Sequence, residues 1–112
     1  MIPWTTWAKD IRILDYDLTD YEVWVTVSQQ TPYNPSVEVD LYGSDLSVSL
    51  DGDDTIVSFV LSQEQTGRFV KGKGCVQVNA INAAENRKAT GTISFDVGRN
   101  TLNRAIRYEG GE

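Results

Sequence analysis

The stretch Tyr21-Glu22-Val23-Trp24-Val25-Thr26-Val27-Ser28-Gln29 decides the fold. Tyr21, Val23, Val25 and Val27 alternate with Glu22, Trp24, Thr26 and Ser28. A period of two built from β-branched and aromatic residues is the pattern of a half-buried strand, with one face on a core and the other in water.

The same period returns on both sides. Upstream, Asp10–Leu14 is a shorter alternating run, closed by Asp15-Tyr16-Asp17-Leu18-Thr19-Asp20, whose aspartates bond their own backbone and stop a strand. Downstream, Thr31-Pro32-Tyr33-Asn34-Pro35 ends the central run, because proline cannot donate to a ladder. Ser36–Tyr42 then alternates with Val37, Val39 and Leu41 on one face, up to Gly43-Ser44. Leu46, Val48 and Leu50 alternate with Ser47, Ser49 and Asp51, and Thr55–Leu61 returns as an apolar run. Asp51-Gly52 supplies the positive φ of a hairpin turn, and the added Asp53-Asp54 predicts a four-residue connection. Ser62-Gln63-Glu64-Gln65 reads as a capping box that opens a helical turn over 62–69, with Phe69 docked on the core before Gly72 and Gly74. Gly74–Ala83 and Lys88–Val97 form the last pair, and 100–106 predicts a short helix with Leu102, Ala105 and Ile106 on one side.

About seven short strands with frequent turns predict an all-β fold, a single antiparallel β-sandwich of immunoglobulin-like architecture. A small closed barrel is the alternative. Residues 1–112 make one domain, with 1–9 as an N-terminal arm and 99–112 as a C-terminal tail. The shared phases place Val23, Val25, Val48, Phe59, Val78, Ile93 and Phe95 in one core.

Composition narrows function. A chain of 112 residues buries roughly 65% of its unfolded surface, enough for one core without staples. The single Cys75 leaves no partner for a disulfide and fits a reducing compartment. The start, Met1-Ile2-Pro3-Trp4-Thr5-Thr6-Trp7, has no apolar segment behind a basic one, so synthesis in a cytoplasm is expected. A net charge of −6 repels phosphate and anionic lipid, so neither nucleic acid nor membrane is an expected partner.

Chemistry finds little to work with. There is no histidine, which removes the commonest general base and zinc ligand together. Asp51-Gly52-Asp53-Asp54 concentrates carboxylates but lacks the spacing and distal glutamate of a calcium loop, and reads as a solvated hairpin tip. A carboxylate pair for glycoside chemistry cannot be picked out among turn aspartates. Cys75, at the start of an alternating strand, reads as a small packed hydrophobe. Arg68, Lys71 and Lys73, with Arg99, Arg104 and Arg107, read as a solubilising surface. No enzyme activity, cofactor, metal or small-molecule substrate is expected.

The aromatics point elsewhere. Trp4 and Trp7 stand near the chain start, Trp24 lies in the polar phase of its strand, and Tyr33 sits in the proline-bracketed loop. Exposed Trp and Tyr supply large contact area at little entropic cost, so these four are the candidate partner-binding residues. The competing role for the tryptophans is structural, plugging one end of the sandwich or covering a sheet edge.

Three phrases carry a resemblance. Asp17-Leu18-Thr19-Asp20-Tyr21-Glu22-Val23-Trp24-Val25-Thr26-Val27-Ser28-Gln29, Val57–Phe69 with its Leu61-Ser62-Gln63-Glu64-Gln65-Thr66, and Gly74-Cys75-Val76-Gln77-Val78-Asn79-Ala80-Ile81 follow one another, with Ala89-Thr90 behind. This pattern resembles the N-terminal domain of upper baseplate proteins of phages and prophages of Gram-positive bacteria, and the small standalone proteins similar to it. It spans roughly residues 11–106, and its motifs are structural. The resemblance implies a non-enzymatic virion part that docks on other tail or baseplate proteins or on a second copy of the chain. The upper baseplate proteins carry a fibre or receptor-binding extension after this domain, and the present sequence does not, so an adaptor, minor tail component or assembly factor is expected. A carbohydrate-binding β-sandwich is the alternative function.

Overall fold

In a computed structural model the described residues are 1–30 and 36–108. Antiparallel strands β1 (Trp7–Ile13), β2 (Glu22–Gln29), β3 (Val37–Tyr42), β4 (Leu46–Asp51), β5 (Asp54–Leu61), β6 (Gly72–Ile81), β7 (Arg87–Ala89) and β8 (Ile93–Val97) form two sheets. One runs β1-β5-β4; the other runs β3-β2-β6, with β7 and β8 both on the far side of β6. In the lettering of immunoglobulin domains this is B-E-D packed on C′-C-F-G. The all-β sandwich follows from the alternation: Val23, Val25, Val27 and Gln29 of β2 are buried, and the residues between them are not.

The core is Ile11, Val25, Val27, Val39, Leu41, Val57, Phe59, Leu61, Phe69, Val76, Val78 and their neighbours. Of the seven residues expected there, Val23, Val25, Phe59 and Val78 are buried, while Val48, Ile93 and Phe95 pack against the core partly exposed. Each of those three lies on β4 or β8, strands at a sheet edge.

Several expectations change in detail. The β4–β5 connection is Gly52-Asp53 alone, because Asp51 pairs with Asp54. Gly52 has φ 64° and Asp53 does not, the pattern of a II′ hairpin turn. The helical turn is only Gln63–Thr66, although its capping box is present, with Ser62 Oγ accepting from the Gln65 backbone and Gln65 Oε1 accepting from the Ser62 backbone. The last strand breaks in two. Asn79 faces Ala89 but Val76 faces Ile93, so two residues of β6 oppose three, Thr90-Gly91-Thr92, a one-residue bulge. Thr90 fills the gap by accepting the Val78 N–H on its hydroxyl.

No helix forms over 100–106. Asn100 Oδ1 takes the Leu102 N–H instead, and the Gln63 amide both donates to and accepts from the backbone of Ile106, so the tail runs back over the helical turn. A segment this short has too little helical stability to resist such competition. The expected N-terminal arm also lies on the body. Residues 7–9 belong to β1, Met1 is bonded to the backbone of Asp96 and Gly98 at the end of β8, and Thr66 donates to the Thr5 carbonyl.

Candidate functional site

Several residues of the phrases that carry the resemblance hold the sandwich together. Leu18 is buried, and Thr55 Oγ1 clamps its loop by accepting the Leu18 N–H and donating to the Tyr16 carbonyl. Asp17 accepts from both the backbone and hydroxyl of Thr19, which holds its carboxyl below the usual range. Buried Gln29 grips Val70 through both ends of its amide. These are scaffold contacts.

The aromatic candidates separate. Trp7 turns inward, edge-on to Phe59 at 6.1 Å and tilted on Phe95 at 4.8 Å between ring centroids. Trp4, at φ 64°, lays its ring over Gly67, where an added Cβ would meet the indole at 2.5 Å. Both remain partly exposed while their rings serve the sandwich. Tyr33 lies outside the described residues. Trp24 is 41% exposed and stands on the outer face of the five-stranded sheet.

Trp24 is not alone there. Its direct cross-strand neighbour on β3 is Tyr42, 54% exposed, and the two rings stack at 4.4 Å with 24° between their planes. Tyr42 was not among the residues singled out from sequence. The signal lay in phase: Tyr42 follows Glu38 and Asp40 in the outward phase of β3, as Trp24 follows Glu22 in that of β2.

Two recesses flank this ridge. One, of about 510 Å³, opens at the edge of the sandwich where β3 crosses to β4, and is walled by Tyr21, Val23, Leu46 and Val48 with the two ridge rings. The other, of about 360 Å³, lies on the sheet face beside Trp24, Thr26, Asp40, Asn79 and Arg87. Its polar wall is ordered, since Asn79 Oδ1 accepts from two nitrogens of Arg87 and Thr26 donates to Asp40 at 2.8 Å.

The charge around the ridge is negative. Among the described residues, Glu22, Glu38, Asp40 and Asp45 enter no salt bridge, whereas Asp51 and Asp54 share Arg12, Asp96 meets Lys73, and Glu64 meets Arg107. A hydrogen bond with Asp40, reinforced by like charge, raises Glu38 above its ordinary value of 4.5. The acidic hairpin tip carries its own counter-ion: Asp54 is held low by the Asp15 backbone N–H and then by Arg12.

Cys75 departs from the packed role expected of it. It lies in the outward phase of β6, opposite Ser28 and Ser94, and is partly exposed. Among the described residues no group of three Cys, Asp or Glu is placed to hold a metal ion. No protein-family model matches the chain, and no curated protein matches it in sequence.

Proposed function

We propose that this chain is a non-enzymatic structural or assembly domain of a phage tail or baseplate, held to neighbouring subunits in the virion through the Trp24–Tyr42 ridge. The observation that carries the reading is the ridge itself. Two large rings stand stacked and half-exposed on a sheet face, next to an apolar recess. A stacked pair is already ordered, so a partner covering it loses little side-chain entropy, and such a centre can supply about 2 kcal/mol or more of binding. The resemblance supplies the context of a virion, and the first of its phrases carries Trp24 itself.

The alternative reading, a carbohydrate-binding module, rests on the second recess. There an indole stands beside Asn79, Arg87, Asp40 and Thr26, which offer both donors and acceptors to a sugar. Two experiments separate the readings. Immobilised wild type should retain tail or baseplate subunits from a phage lysate, and Trp24→Ala with Tyr42→Ala should lose them while keeping its circular dichroism. Saturable quenching of tryptophan fluorescence by a saccharide, abolished by Asn79→Ala, would favour the sugar reading instead.

A further inference from the structure

The two sheets end in four edges, and three carry devices that discourage pairing with another strand. β1 turns Lys9 into the inward phase of its strand, opposite Phe59. β3 sets Glu38 and Asp40 along its outer face. The edge made by β7 and β8 is broken by the bulge at 90–92 and carries Lys88. β4 has neither proline, bulge nor basic residue, and its one charge, Asp51, stands at the last position. None of its six residues is buried, although Leu46, Val48 and Leu50 occupy the inward phase, and Leu50 is 47% exposed.

We propose that β4 is a self-pairing edge, by which two copies of the chain join antiparallel about a two-fold axis through Val48. Leu46-Ser47-Val48-Ser49-Leu50 reads the same in both directions. Alternate residues of an edge strand point their N–H and C=O outward, so an antiparallel ladder bonds residues of equal parity. A two-fold axis must therefore pass through a residue and not between two, and this palindrome is centred on one. In that register Val48 meets its twin and Leu46 meets Leu50 of the second copy on the inner face. On the outer face Ser47 meets Ser49. Each cross-strand pair matches like with like in polarity, the condition under which such pairs stabilise a sheet.

The joined sheet would run β1-β5-β4 in one copy and β4-β5-β1 in the other. At its ends Asp45 comes opposite Asp51 of the second copy, and Arg12, 2.5 Å from Asp51, already supplies a counter-charge. A ladder this short buries less than a standard interface, so the association is weak, with a dissociation constant on the order of 100 μM. Leu46 and Val48 also wall the recess beside the Trp24–Tyr42 ridge, but the ladder is made by the backbone of β4 and needs neither ring.

The test is sedimentation velocity of the full chain from about 10 μM to about 1 mM. Wild type should pass from monomer to dimer. Ser47→Lys with Ser49→Lys sets lysine against lysine twice on solvent-facing positions, and should weaken the dimer at least about tenfold. Ser47→Glu with Ser49→Glu should do the same. An equimolar mixture of the two should restore a dimer containing one of each, a result that mere loss of folding cannot produce. Trp24→Ala should dimerise like wild type. A wild type that stays monomeric, or a dimer indifferent to both charged variants, would overturn the proposal.

Discussion

Two aromatic clusters of the sandwich differ in kind, one closed and one open. In the closed cluster, Trp7, Phe59, Phe69 and Phe95 pack ring on ring, and glycines make the room. A Cβ at Gly74 would meet the Phe95 ring at 2.3 Å, and one at Gly67 would meet Trp4 at 2.5 Å. In the open cluster, Trp24 faces Tyr42 on one side and Asn79 on the other. The closed rings pack on the core, with Phe59 and Phe69 buried, whereas Trp24 and Tyr42 stack on each other outside it. The same residue type therefore packs on the core in one place and stands exposed in the other.

The largest expected effect falls in the closed cluster. Phe59→Ala empties a fully enclosed position and should cost about 3–5 kcal/mol of unfolding free energy, read from the urea midpoint. An unchanged midpoint would mean that Phe59 does not hold the sheets together. Gly74→Ala, a change of one methyl, should still cost about 1–3 kcal/mol, because Phe95 must leave its place. Trp7→Ala should destabilise by about 2–3 kcal/mol and Trp24→Ala by about 1 kcal/mol or less. Equal losses for the two tryptophans would erase the distinction between the clusters.

Much of this contrast was legible in the sequence. The alternation through β2 placed Val23, Val25 and Val27 inside and Trp24 outside, and the Ser62–Gln65 capping box stood where expected. Trp7 was not legible in the same way. It shares its phase with Lys9, Ile11 and Ile13, and the lysine interrupts that phase, so the alternation is plain only from Asp10. The bulge at Thr90-Gly91-Thr92 was hidden because a hydroxyl standing in for a backbone acceptor leaves no periodic trace. The return of Met1 to β8 and of Ile106 to Gln63 depends on contacts across most of the chain, which local pattern cannot encode. Tyr42 was readable in principle, but its importance needs the β2–β3 register that sets it beside Trp24.

The carboxylates divide along the same line, and they give the smallest predicted effects. Glu64 and Asp96 are held below their ordinary values by Arg107 and Lys73, and Asp54 by the Asp15 N–H with Arg12. A depressed carboxylate lends stability above its unfolded pKa and loses it as pH falls through the folded value. Stability should therefore decline under acid below roughly pH 4. Glu38 is raised, so its contribution has the opposite sign, present at low pH and lost as pH rises. Glu38→Gln should thus leave the melting temperature unchanged or slightly higher at neutral pH, with that gain vanishing in acid. A lower melting temperature at neutral pH would show that Glu38 already has a cationic partner.

That neighbouring subunits cover the open cluster is the proposal on which the function rests. Its most direct test is the copy number of this chain in purified phage particles, counted by quantitative mass spectrometry. Particles assembled with wild type are compared with particles assembled with the folded Trp24→Ala, Tyr42→Ala variant. Wild type should stand in fixed ratio to the tail subunits, and the variant should be depleted at least about tenfold, the change that a loss of about 1.4 kcal/mol produces. Absence of wild type from the particles, or incorporation of the variant at the wild-type level, would contradict it.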